Sequence, residues 1–224
     1  MFNATMRDAL LDALMAHGPV IPVLGFQNPR EAVDTCLALR EGGLRVFEIT
    51  LRSPAALACL EAVAALGEDF LVGAGTIRNP QQLTAAARTG ARFAVSPGFT
   101  EELAETAQDL ELPMIPGVMT PSEILRAQAA GYSRLKFFPA EAAGGVAMLR
   151  ALSGPFAELR FLPTGGVTAE NAPEYLALNQ VPCVGGSWLT ARELVAARDW
   201  GAITTLARRA QALRARMQEA LNGS

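Results

Sequence analysis

The sequence predicts an α/β fold of one kind, an eight-stranded parallel (β/α) barrel with an extra N-terminal helix and a C-terminal helix. Three observations carry that expectation. Eight short apolar runs alternate with helical stretches, and their starts recur about every 23 residues, the length of one strand, one helix and two short loops. No long crossover interrupts the series, which weakens the alternative of an open doubly wound sheet. No linker or low-complexity tract divides the 224 residues, so 1–224 reads as a single barrel domain.

Residues 4–17 form an amphipathic helix that Gly18-Pro19 ends before the first strand. Strand-like runs follow at 20–24, 46–51, 70–74, 93–96, 113–115, 134–138, 160–162 and 182–184. Helical patterns occupy 29–41, 54–66, 80–89, 100–109, 121–130, 145–152, 168–178 and 190–197. Several open with Pro at a first-turn position and are followed by Gly. The last stretch, 199–221, is a further amphipathic helix whose Arg208, Arg209, Arg214 and Arg216 form a solvated face or, less simply, an oligomer contact.

Half the residues are hydrophobic and 18% are charged, so a large core is available and disorder is not expected. The formal charge of −3 argues against nucleic acid or an anionic membrane as the main partner. No apolar run approaches the roughly 18 to 20 residues that span a bilayer. The first 17 residues carry Asp8 and Asp12 and lack a basic head before an apolar block, which does not read as a signal peptide. A cytoplasmic address is expected. Cys36, Cys59 and Cys183 are odd in number and widely spaced, which suits small buried residues and neither a disulfide framework nor a metal cage. His17 is the only histidine and sits at a helix end, so His-rich metal sites and His-dependent triads are absent unless it serves.

Against 18 arginines, Lys136 is the only lysine. A guanidinium stays protonated, whereas an ε-amine in an apolar strand can lose its proton and attack a carbonyl. Alternation along 46–52 puts Val46, Glu48, Thr50 and Arg52 on one face and the apolar Phe47, Ile49 and Leu51 on the other, toward the helices. The same parity groups Arg134, Lys136 and Phe138, so Lys136 and Glu48 point into one cavity at the C-terminal ends of the strands, where barrels build their sites. An inward Lys, Glu and Arg suits imine chemistry on a keto acid, with a purely structural buried ion network as the alternative. Gly165-Gly166 and Gly185-Gly186-Ser187 close the seventh and eighth runs, where many barrels bind phosphate through backbone N–H groups. Gly73-Ala-Gly-Thr-Ile-Arg78 fails as a dinucleotide fingerprint because Arg78 holds the third glycine position. Thr76 reads equally as a substrate contact or a turn residue.

Six ordered motifs, Glu48-Ile-Thr-Leu-Arg52, Gly73-Ala-Gly-Thr76, Ser96-Pro-Gly98, Lys136-Phe-Phe-Pro-Ala-Glu141, Pro163-Thr-Gly-Gly166 and Gly185-Gly-Ser-Trp188, together resemble the 2-keto-3-deoxy-6-phosphogluconate aldolases, which often also cleave 4-hydroxy-2-oxoglutarate. The likeness runs from about Val20 to Trp188. It implies a class I aldolase of the Entner–Doudoroff pathway, with no metal or other cofactor, a small keto-acid phosphate as substrate, and a homotrimeric assembly. By position it makes Lys136 the Schiff-base lysine and Glu48 the acid/base. It implies that Arg52 and Thr76 bind the pyruvyl carboxylate, that Gly165, Gly166, Gly186 and Ser187 line a phosphate site, and that Pro97, Phe138 and Thr164 shape the pocket. Gly25-Phe26 and Ala143 depart from the family pattern, which leaves substrate preference open. An aldolase for the galactonate-derived epimer, and a phosphate-binding isomerase or synthase using Glu48 without an imine, remain alternatives.

Overall fold

The structure, a computed structural model, describes residues 2–213. Its strands are β1 (Val20–Leu24), β2 (Val46–Thr50), β3 (Leu71–Gly75), β4 (Ala94–Val95), β5 (Met114–Ile115), β6 (Gly117–Val118), β7 (Arg134–Phe137), β8 (Arg160–Pro163) and β9 (Val184–Gly186). Between them run α1 (Ala4–Ala16), α2 (Pro29–Glu41), α3 (Ala56–Ala64), α4 (Pro80–Arg88), α5 (Glu101–Asp109), α6 (Pro121–Ala129), α7 (Gly145–Ser153), α8 (Ala172–Leu176), α9 (Arg192–Ala197) and α10 (Trp200–Gln211). The helix starts follow from side chains. Asn28, Asn79, Thr100 and Thr120 each lie in extended backbone and accept a hydrogen bond from the N–H three residues on. Each such cap is worth about 1 kcal/mol.

All strand pairs are parallel. One sheet has the order β5-β4-β3-β2-β1-β9 and a second has β6-β7-β8, so the chain is α/β with a parallel sheet of half-barrel form and helices around it. The fifth run, expected at 113–115, is β5, and the strand resumes beyond it as β6 after Pro116, which has no N–H to donate. Its carbonyl still accepts from the Lys136 N–H at 2.8 Å. At the other margin Thr164 bridges Gly185 in parallel, and the Phe161 N–H donates to Gln180 O at 2.7 Å.

Side-chain alternation produces two cores. The outer one joins Phe47, Ile49, Val72, Ala74, Leu135, Phe137 and Phe161 to the apolar faces of the helices. The inner one collects Ile21, Val46, Phe93, Val95, Ile115, Leu162 and Cys183 from the opposite strand faces, together with Leu11, Leu14 and Met15 of α1. The first helix thus seats its apolar face among the inward strand residues. Its polar face is tied to the start of β7, where Arg134 pairs with Asp8 at 3.0 Å and with Asp12, and Arg7 stacks 4.0 Å from the Tyr132 ring. All three cysteines are buried.

Several boundaries differ from expectation. The helix expected over 168–178 is only α8, and residues 169–171 ahead of it form a turn in which the Thr168 hydroxyl accepts from the Glu170 N–H and the Asn171 side chain accepts from the Thr168 N–H. The one expected over 190–197 is a 3₁₀ turn, Trp188–Thr190, followed by α9. The eighth run lies two residues later, through Gly185 and Gly186, paired with Ile21 and Pro22. The terminal helix is described to Gln211; the expected continuation to 221, with Arg214 and Arg216, lies outside the described residues. Within it Arg208 is exposed and pairs with Glu41 at 3.2 Å, while Thr204 donates to Ala38 O at 3.0 Å and docks α10 on α2. Among the described residues no helix is long and apolar enough to cross a membrane.

Gly73 is where the inner core is tightest. A Cβ there would lie 2.4 Å from the ring of Phe93, which is fully buried. Gly73→Ala is expected to lower the unfolding free energy by about 1–3 kcal/mol, the range for overpacking a filled core. Urea denaturation would read this as a fall in midpoint at unchanged slope.

Candidate active site

The register brings the two inward charges together. Glu48 lies opposite Val23 and Gly73, Lys136 opposite Gly117 and Leu162, and the two side chains meet with Nζ 3.3 Å from Oε1. Lys136 is 5% exposed and Glu48 is 0% exposed, so the pair sits where water cannot screen it. The second carboxylate oxygen, Oε2, is buried with no hydrogen-bond partner among the described residues. Such an acceptor carries a desolvation cost that an incoming hydroxyl would relieve. Phe138 sets its ring centroid 5.1 Å from Nζ. Room for the carboxylate comes from Gly75, whose Cβ would fall 2.2 Å from Oε1. The pair can exchange a proton directly.

Arg52 is held by a relay. Its Nε–H donates to Thr50 Oγ1 at 3.0 Å, and the Thr50 hydroxyl donates to Leu24 O at 2.8 Å. The guanidinium is exposed and makes no ion pair within 4 Å among the described residues, which leaves its outer N–H groups for a carboxylate. Thr76, directly after β3, has φ 61°, the left-handed region that a β-branched residue enters only under strain of about 1–3 kcal/mol. Thr50 stands opposite Gly75 in the register, so Arg52 and Thr76 leave neighbouring strands at the same level.

Pro97 is half-buried, and its carbonyl would lie 2.3 Å from a Cβ on Gly117, the residue opposite Lys136. Thr164 is buried, with its hydroxyl over Gly185, where a Cβ would come within 2.3 Å. Gly165 and Gly166 have φ of 99° and 80°, an open turn for an anion, and the Gly166 N–H has no backbone partner among the described residues. Gly186 is packed by Trp188, and Ser187 is exposed just beyond it. Of the departing positions, Gly25 lies beside Arg52, with Nη2 3.9 Å from a Cβ there, whereas Phe26 is buried and its carbonyl accepts from Ser53 at 2.6 Å. Ala143 is half-buried against the outer core.

The family model described as KDPG and KHG aldolase matches residues 11–206. The chain belongs to this family. The KHG/KDPG aldolase of Escherichia coli (strain K12) is 45% identical over 199 residues, covering 89% of this chain and 93% of that protein. The crystal structure of the KDPG aldolase from Legionella pneumophila, with pyruvate captured at low pH as a covalent carbinolamine intermediate, superposes with a TM-score of 0.87 at 44% identity, covering 89% of this chain and 97% of that one. The native KDPGal structure matches with a TM-score of 0.80 at 28% identity, covering 90% of this chain and 96% of that one.

The structure ties in three residues to which the motifs gave no role. Thr50 was legible as inward-facing but not as the link between Arg52 and the backbone of β1. Glu141 stands inside the Lys136-Phe-Phe-Pro-Ala-Glu141 motif, and Tyr175 of α8 donates its hydroxyl hydrogen bond to it. Nothing in the periodicity of 168–178 marks Tyr175. The thiols of Cys36 and Cys59 are raised by burial, which makes them poor nucleophiles.

Glu48→Leu is expected to strand the Lys136 ammonium and to cost about 3 kcal/mol of unfolding free energy, whereas the double variant Glu48→Leu/Lys136→Met should recover most of it. Denaturation of the four proteins in a double-mutant cycle checks this; strictly additive losses would show that the two charges do not sense each other.

Proposed function

We propose that this chain is a class I aldolase that reversibly cleaves 2-keto-3-deoxy-6-phosphogluconate to pyruvate and glyceraldehyde 3-phosphate through a Schiff base on Lys136. The observation that carries the reading is the buried Lys136–Glu48 contact of 3.3 Å in a member of the KDPG and KHG aldolase family. The name of the Escherichia coli relative supports a second substrate, 4-hydroxy-2-oxoglutarate, split to pyruvate and glyoxylate. Identity of 45% to that relative against 28% to the KDPGal structure favours the gluconate-derived substrate over its galactonate epimer.

In this mechanism the Lys136 amine adds to the C2 ketone, and loss of water gives a protonated imine. Glu48 accepts the C4 hydroxyl proton as the C3–C4 bond breaks, and the bond electrons pass to the iminium to leave an enamine. Protonation at C3 and hydrolysis then release pyruvate and restore the amine. The unpartnered Oε2 of Glu48 suits the hydroxyl. Arg52, braced by Thr50, and Thr76 receive the carboxylate, a bidentate fork supplying the orientation. Gly165, Gly166, Gly186 and Ser187 receive the phosphate, and Pro97, Phe138 and Thr164 wall the space between.

The scaffold we infer is a closed eight-stranded barrel, a single domain over 1–224 with α1 at one end. The split strand β5/β6 spans the two sheets on one side, and the Thr164–Gly185 bridge joins them on the other, which supports closure. A homotrimer in the cytoplasm completes the reading.

Incubation with pyruvate and borohydride is expected to leave a covalent adduct on Lys136 and to abolish activity, and Lys136→Ala should show neither adduct nor turnover. Glu48→Gln should lower kcat by about 10²–10⁴-fold, the range for a lost general base, while pyruvate still traps on Lys136. An enzyme insensitive to borohydride would instead be a barrel isomerase or synthase that uses Glu48 without an imine. Side-by-side rates on the two epimers decide the stereochemistry.

A further inference from the structure

The segment after β7 is zipped to the turn after β8. The Ala140 N–H donates to Thr164 O at 2.8 Å and the Glu141 N–H to Gly165 O at 3.0 Å. Glu141 then lays its side chain against Gly166, where a Cβ would fall 2.6 Å from Glu141 Cβ and Cγ. Gly166 is therefore glycine for contact as well as for backbone angle. From another side the Asn171 amide donates to Gly166 O at 3.1 Å.

Among the described residues the only hydrogen-bond partner of the Glu141 carboxylate is the hydroxyl of Tyr175. Tyr175 is fully buried, and a Cβ on Gly145 would lie 3.3 Å from its hydroxyl. Burial, reinforced by the carboxylate, raises the pKa of this phenol and keeps it a donor. Core filling alone would be met by Phe, which carries no polar group to satisfy. The hydroxyl needs another reason, and its sole target among the described residues is the side chain that backs the Gly166 turn.

We propose that Tyr175 is a positioning residue which, through Glu141, sets the Gly165-Gly166 turn against the phosphoryl group and so tunes the preference for phosphorylated over unphosphorylated aldols. This rests on the phosphate seat of the proposed function.

The test compares the parent enzyme with Tyr175→Phe. KM for 2-keto-3-deoxy-6-phosphogluconate is expected to rise about tenfold while kcat stays within about twofold. The pyruvate concentration giving half-maximal borohydride inactivation, a readout without a phosphoryl group, should not move. Glu141→Gln still offers an oxygen to Tyr175 and should keep the parent KM; Glu141→Ala should reproduce the Tyr175→Phe defect. A change in both readouts, or in neither, overturns the proposal. Should pyruvate and borohydride leave the parent enzyme active, the aldolase reading has failed instead.

Discussion

The buried contact between Lys136 and Glu48 is the constraint to which the surrounding structure answers. Two opposite charges removed from water are costly unless their geometry is close and their remaining valences are accommodated. The fold meets the first demand by crossing the inward faces of β2 and β7 at one level. It meets the second only in part, because one carboxylate oxygen has no partner among the described residues. Space is made by omission: β3 carries Gly73 and Gly75 on its inward face, so that Phe93 and the Glu48 carboxylate can occupy what two side chains would otherwise fill.

Around that pair the two ends of the strands do different work. At their N-terminal end α1 inserts Leu11, Leu14 and Met15 among inward strand residues and is pinned by Asp8 and Asp12 to Arg134. At their C-terminal end the polar groups gather: Arg52 with Thr50, Thr76 in its left-handed backbone, and the paired glycines after β8. Arg134 and Lys136 are two residues apart on one strand face, yet one belongs to the fastening of a helix and the other to the site. Distance along the strand, about 6.6 Å for two residues, separates the roles.

Much of this was legible in the sequence because it depends on parity and periodicity. Alternation along 46–52 and 134–138 placed Glu48, Arg52, Lys136 and Phe138 on inward faces, and the recurring strand–helix unit indicated a parallel α/β fold. What escaped depends on contacts between distant segments or on backbone hydrogen bonding that apolar periodicity does not report. The short α8 and the resumption of the fifth strand as β6 beyond Pro116 are of the second kind. Tyr175 meets Glu141 across 34 residues of chain, and neither residue type announces the other. The aldolase resemblance supplied the motif that contains Glu141, but not what its side chain holds.

The lone lysine also has a consequence outside catalysis. Because every other basic side chain is arginine, the protein surface presents no side-chain amine to carbonyl compounds, and the single ε-amine is 5% exposed. An aldolase of the proposed kind releases an aldehyde at each turnover, a reagent that condenses with accessible amines. Here the only side-chain amine able to condense with it in that way is buried beside Glu48, so side-chain imine formation is confined to that one position.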